Sequence, residues 1–175
     1  MKKLIALLLA LCMLTFATFA AAEPVKLTEN ASGFDLTMEL PDNATVRVET
    51  FDDVPYTFIS FADATLPKIY LSVAATEEYD VSSIADLSKD DLEALFTTVS
   101  ADMDDPSYEM RKTDNGYDYM LVNDNSETDS AMLLLLYQGY FIQMTVWNNQ
   151  YAVLGDDDIT AAELLINTLT IVPVA

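Results

Sequence analysis

The chain has 175 residues, enough for one domain of ordinary size, and its 29 Asp and Glu oppose only eight Lys and Arg. Two of those lysines and none of the acids fall in the first 22 residues, so the remainder carries a formal charge of −23. That charge repels nucleic-acid phosphates and anionic lipid and favours cationic partners. Histidine is absent and Cys12 is the one cysteine, so beyond residue 22 the Ser-His-Asp triad, the Cys-His pair, structural zinc and haem-type ligation lack their usual atoms.

Lys2 and Lys3, the apolar run from Leu4 to Phe19, and Ala20-Ala21-Ala22 ahead of Glu23 make the three parts of a secretory signal peptide, with cleavage expected after Ala22. The A-x-A ending weighs against an uncleaved anchor. Cys12 follows Leu11 in mid-run, where a bacterial-type lipobox needs Gly, Ala or Ser, so lipidation is not expected. The short Lys-Lys leader resembles bacterial ones. The expected product is exported, to the extracellular space or the cell envelope or periplasm, and is not membrane-bound once the leader is removed. Residues 23–32 read as an N-terminal arm and residues 33–175 as a single domain, since no Pro- or Gly-rich stretch marks a linker.

Phe34, Leu36, Met38 and Leu40 alternate with polar residues and predict a half-buried strand that ends at Pro41-Asp42-Asn43. Short strands follow at about 45–51, 56–61 and 68–75. Ser88 with Asp91 three residues on is a short form of the capping box, and Leu87 and Leu92 occupy the staple positions around it. Leu92, Leu95, Phe96, Val99 and Met103 then recur at helical spacing, predicting a helix that ends near 102–106. An antiparallel meander is expected next. Asn115-Gly116 is a strong hairpin signal between strands at about 108–113 and 117–122. The non-alternating Leu133–Leu136 run reads as a strand buried on both faces, and Gln138-Gly139 turns it into a strand at 140–147. A last helix is expected at about 157–168, with an edge strand closing on Pro173.

Two segments carry a family resemblance. GFDLTMELPDN from Gly33 and AAELLINTLTIV from Ala161 resemble the opening and closing patterns of the PsbP-like and DcrB-like exported proteins. The resemblance covers most of residues 33–172 as an order of elements. It implies an α+β domain, a central antiparallel sheet of six or seven strands with helices on both faces, as in the PsbP-like α/β/α sandwich. The runner-up is a sheet covered on one face, of cystatin-like type. Members of that group act mainly as accessory or assembly subunits, and none of their functional residues maps onto this chain.

Among candidate sites, Asp156, Asp157 and Asp158 suit calcium, a hard cation that takes carboxylate oxygens, and equally suit capping of the last helix. Asp102, Asp104 and Asp105 form a second acidic cluster at a helix C-terminus, where negative charge is unfavourable and a cation would relieve it. The run from Asn123 to Asp129 lacks the glycine and the terminal acid of an EF-hand loop. Tyr108, Tyr117, Tyr119, Tyr137 and Tyr140 are candidates for a sugar or peptide groove, or for ordinary sheet packing. No nucleophile or phosphate-loop motif is present, and the Asn30 and Asn43 sequons are read as chance. The expected function is a non-enzymatic exported binding or accessory protein, without cofactor, that recognises a protein or cell-surface component. The alternatives are a calcium-dependent acidic binding module and, behind it, a small carboxylate-dependent hydrolase.

Overall fold

A computed structural model describes residues 25–28, 34–51, 54–63, 66–79, 81–126, 130–148 and 153–173. The expected signal peptide lies outside them. In chain order the strands β1 to β5 are Val25–Thr28, Phe34–Met38, Ala44–Phe51, Val54–Phe61 and Lys68–Ala75. A 3-10 turn at Ile84–Asp86 leads to helix α1, Lys89–Val99. Strands β6 to β9 are Pro106–Lys112, Asp118–Asp124, Ser130–Tyr137 and Tyr140–Trp147, followed by helix α2, Asp156–Ile166, and β10, Thr170–Pro173.

Seven strands make one antiparallel sheet in the order β3-β4-β5-β9-β8-β7-β6. It is two meanders joined where β5 pairs β9 from Lys68↔Trp147 to Ala75↔Tyr140. The crossover through α1 carries the chain from the middle of the sheet to its far edge at β6. The strand count matches the sequence expectation. A second sheet, β1-β2-β10, was not legible in the pattern: β2 pairs β10 from Thr37↔Thr170 to Phe34↔Pro173, and part of the expected N-terminal arm, Val25–Thr28, adds to its other side as β1. Pro173 therefore sits on an edge, as its missing donor demands, but on the edge of the small sheet.

Side chains of successive strand residues point to opposite faces, and the core divides accordingly. Leu121, Leu133, Leu135, Ile142, Met144 and Val146 belong to one cluster, with Leu36, Met38 and Ile171 of the small sheet and Ala162, Leu165 and Ile166 of α2. Met120, Val122, Leu134 and Leu136 belong to the other, with Ile84 and with Leu95 of α1. The four-leucine run is thus buried throughout because alternate leucines serve different clusters.

Local chemistry sets the boundaries. Ser88 Oγ accepts the Asp91 N–H at 3.2 Å and starts α1, a cap worth about 1 kcal/mol. The helix ends earlier than its apolar spacing suggests. Ser100 leaves helical geometry at ψ 11°, its hydroxyl donates to Phe96 O at 2.7 Å, and Met103 N–H turns back to Ser100 O. At the Asn115-Gly116 hairpin, only Gly116 takes positive φ, at +88°. Thr113 N–H donates to Tyr117 O at 2.8 Å, so the loop has three residues and closes on the glycine, where the dipeptide suggested two left-handed residues. Asn115 instead donates through Nδ2 to Leu169 O at 2.7 Å, tying the hairpin to the approach of β10. The two-residue left-handed turn is at Gln138 and Gly139, φ +48° and +79°.

Leu135, 1 % exposed, should cost about 3 kcal/mol when cut to alanine. Val48, 62 % exposed on an edge strand, should change stability by less than about 0.5 kcal/mol on the same substitution. Denaturant melts of the two variants check this, and equal losses would refute the layered core.

Candidate functional site

The segment before α1 is pinned to the sheet. Ser83 forms an isolated antiparallel bridge with Tyr137, and Gln138 N–H donates to Ser82 O at 3.4 Å. Ser83 Oγ accepts the Ala85 N–H at 3.3 Å, which caps the 3-10 turn. Ile84, 1 % exposed, plugs the turn into the second cluster. This places Leu87, Ser88 and the first turn of α1 beside the end of the sheet.

Between that segment and β6 lies an open cleft of about 360 Å³, lined by Ile84, Ala85, Leu87, Leu92, Met110, Arg111, Lys112 and Asp118. Its walls are mainly apolar, and Met110 stands 36 % exposed at its side. Polar contacts gather around Asp118, whose carboxylate meets Lys112 Nζ at 3.0 Å and accepts from Ser83 Oγ at 3.4 Å. Such a cleft is suited to receiving an apolar side chain beside a fixed ion pair; its lining holds no acid–base or nucleophilic constellation. The staple pair Leu87 and Leu92 is legible in the sequence; the cleft is not. Met110 alternates with Tyr108 like a core residue, and is exposed because its strand is the last of the sheet.

On the other face of β6, Arg111 meets Glu163 of α2 through Nη1 and Glu109 through Nε at 2.9 Å. The buried Tyr119 donates its hydroxyl to Glu163 at 2.6 Å. The bonds to Glu109, then to Glu163, hold the Arg111 guanidinium above its ordinary range. Burial, then the bond to Glu163, pushes the Tyr119 hydroxyl up. The group fixes α2 to the sheet by charge-assisted bonds. Its partners lie 52 and 44 residues apart, which is why no sequence pattern announces it.

The acidic candidates fall into two places. Asp102, Asp104 and Asp105 are exposed after α1. The backbone amides of Asp104 and Asp105 each donate to the Asp124 carboxylate at 3.0 Å, and Ser126 N–H donates to it at 3.0 Å. The Ser126 hydroxyl and these amides hold the Asp124 carboxyl down to about 2. Asp156 and Asp157 are exposed in the first turn of α2, while Asp158 accepts from Gly155 N–H at 3.0 Å and from Asn148 Nδ2 at 2.9 Å, the capping arrangement. Among the described residues no three carboxylates come together as a metal-holding group. Three of the candidate tyrosines make ring contacts. Tyr117 and Tyr137 meet edge to face at 6.1 Å, and Tyr108 packs on Phe96 at 4.7 Å.

Among solved structures, the chain is similar to the solution structure of cyanobacterial PsbP (CyanoP) from Synechocystis sp. PCC 6803. The TM-score is 0.50 over 88 % of this chain and 95 % of that one, at 13 % identity. The fold is PsbP-like. No known family profile and no curated protein matches the sequence, so the PsbP-like likeness is one of architecture.

Asp124 gives a pH signature. Its folded pKa lies below the ordinary 3.8, so it adds stability that is present above about pH 4 and lost as pH falls through about 2. Asp124→Asn should melt lower than wild type at neutral pH, and the two should converge on acidification. Parallel curves in a pH series of thermal melts would refute the amide cradle.

Proposed function

We propose that this chain is a non-enzymatic, exported binding or accessory protein that recognises a protein or cell-surface component through the cleft beside β6. In this reading it is an α/β/α sandwich, with α1 covering the cleft side of the main sheet and α2 the other. The observation that carries the proposal is the open apolar cleft of about 360 Å³ at a sheet edge, with the exposed Met110 beside it. Apolar surface left open next to a free edge is a liability unless a partner uses it. Export is supported by the Lys2-Lys3, apolar-run and Ala-Ala-Ala order of the first 22 residues. The charge of −23 in the remainder disfavours nucleic acid and anionic membrane as the partner.

The test immobilises residues 23–175, as wild type and as Met110→Glu, and exposes both to native secreted and envelope fractions. A wash at about 1 M salt shortens the Debye length to about 3 Å and removes basic proteins held by charge alone. One stoichiometric partner should remain on the wild type and be lost from the variant, with the melting temperature of the variant unchanged. Equal retention on both would place the binding surface elsewhere, and no retention on either would overturn the reading.

A further inference from the structure

We infer that the free edge of β6 takes up an extended, basic segment of a partner protein as an added strand, with one apolar side chain of that segment in the adjoining cleft. This rests on the binding reading above and gives the partner its chemistry.

β6 is the terminal strand of the seven. Bonds at both ends of its pairing with β7 fix which backbone groups are used. Asn125 N–H donates to Asp105 O, and Thr113 N–H to Tyr117 O. In an antiparallel ladder bonded and non-bonded pairs alternate. The backbone groups of Ser107, Glu109 and Arg111 therefore face β7, and those of Tyr108, Met110 and Lys112 point off the sheet. Among the described residues no strand pairs with them. Edges are commonly blunted by Pro, Lys or a bulge. Here Pro106 and Lys112 stand at the two ends, the charges of Glu109 and Arg111 between them are taken up by each other and by Glu163 on the face away from the cleft, and the strand pairs with β7 in unbroken register.

The cleft lies on the face shared by the Met110 and Lys112 side chains, opposite the Arg111 face. A strand added along β6 would turn alternate side chains onto that face, so the one nearest Met110 would enter the cleft. This is the combination that strand addition uses: main-chain bonds for affinity and a pocket for one side chain. Charge selects the segment. The cations at the edge are already matched, Lys112 by Asp118 and Arg111 by Glu109 and Glu163. Exposed Asp86 and Asp91 adjoin the lining residues in the chain, within a surface of strongly negative charge. Lys or Arg at the outward positions of the segment complements that rim.

The probe is an end-blocked synthetic peptide of about eight residues alternating Lys with Leu or Val. Its comparison peptides carry N-methyl groups on alternate residues in either phase, or Glu in place of every Lys. Binding to residues 23–175 is read by fluorescence anisotropy, and amide exchange is read at Tyr108, Met110 and Lys112. The Lys peptide should bind, and weaken as salt rises. One phase of N-methylation should weaken it about tenfold by removing the edge bonds, and the three amides should become protected. Met110→Pro, tolerated where an edge N–H faces solvent, should bind about tenfold more weakly than Met110→Ala. Equal binding of the N-methylated or the Glu peptides would overturn the proposal. So would self-association that Met110→Pro abolishes, which would make a second copy the occupant. If no peptide binds while partner capture still depends on Met110, strand addition falls and the binding reading stands. If capture is also insensitive to Met110→Glu, both fall.

Discussion

The pairing of β5 with β9 holds the molecule together. Each meander is built from local turns, but only this ladder, running the full length of both strands, makes one sheet of them. It also joins their apolar faces into one interior: β5 and β9 bury alternate residues, while their neighbour β8 is buried on both faces and must be apolar on both. β8, next to β9, carries that burden in Leu133–Leu136, each leucine worth about 2 kcal/mol of burial. The segments that later form the cleft are held in place through this centre, Ile84 by the leucines of one face and Ser83 by its bridge to Tyr137.

Around that apolar centre the acids are used as fasteners. Asp91 and Asp158 secure helix starts, Asp124 gathers the amides of two neighbouring loops, and Glu163 holds α2 to the sheet through Tyr119 and Arg111. Arg47, Lys89, Arg111 and Lys112 each meet a carboxylate. Beyond these pairs the acids far outnumber the remaining cations, and the long-range effect of that negative field is to accelerate the approach of positive partners.

The legible parts of the sequence were those governed by neighbours along the chain. Strand alternation in Phe34–Met38, the Ser88 cap, the leucine run and the Asn-Gly hairpin all report local geometry, and each corresponds to an observed element. α1 closes earlier than its pattern predicts because Met103 keeps the apolar spacing while Ser100 breaks the backbone. The small sheet was missed because period-two patterning places residues on a face without saying which sheet the face belongs to. The cleft is not legible for a similar reason: Met110 alternates like a core residue, and only the strand order shows that, among the described residues, no strand lies beyond it.

The pairing of β2 with β10 has a consequence for how the molecule comes to be. Glu39 N–H donates to Thr168 Oγ1 across 129 residues of sequence, so this corner closes only after nearly the whole chain has been made. Contacts that distant are slow to find, since a long loop must be ordered before they reward it. Until then Leu36 and Met38 have no cover from Ile171 or from α2. A ribosome or translocation channel delivering the chain from its N-terminus would hold it as two finished meanders with one open apolar face, a species that chaperones bind and that aggregates when crowded. Arrival of the last strand is what converts that species into the native protein.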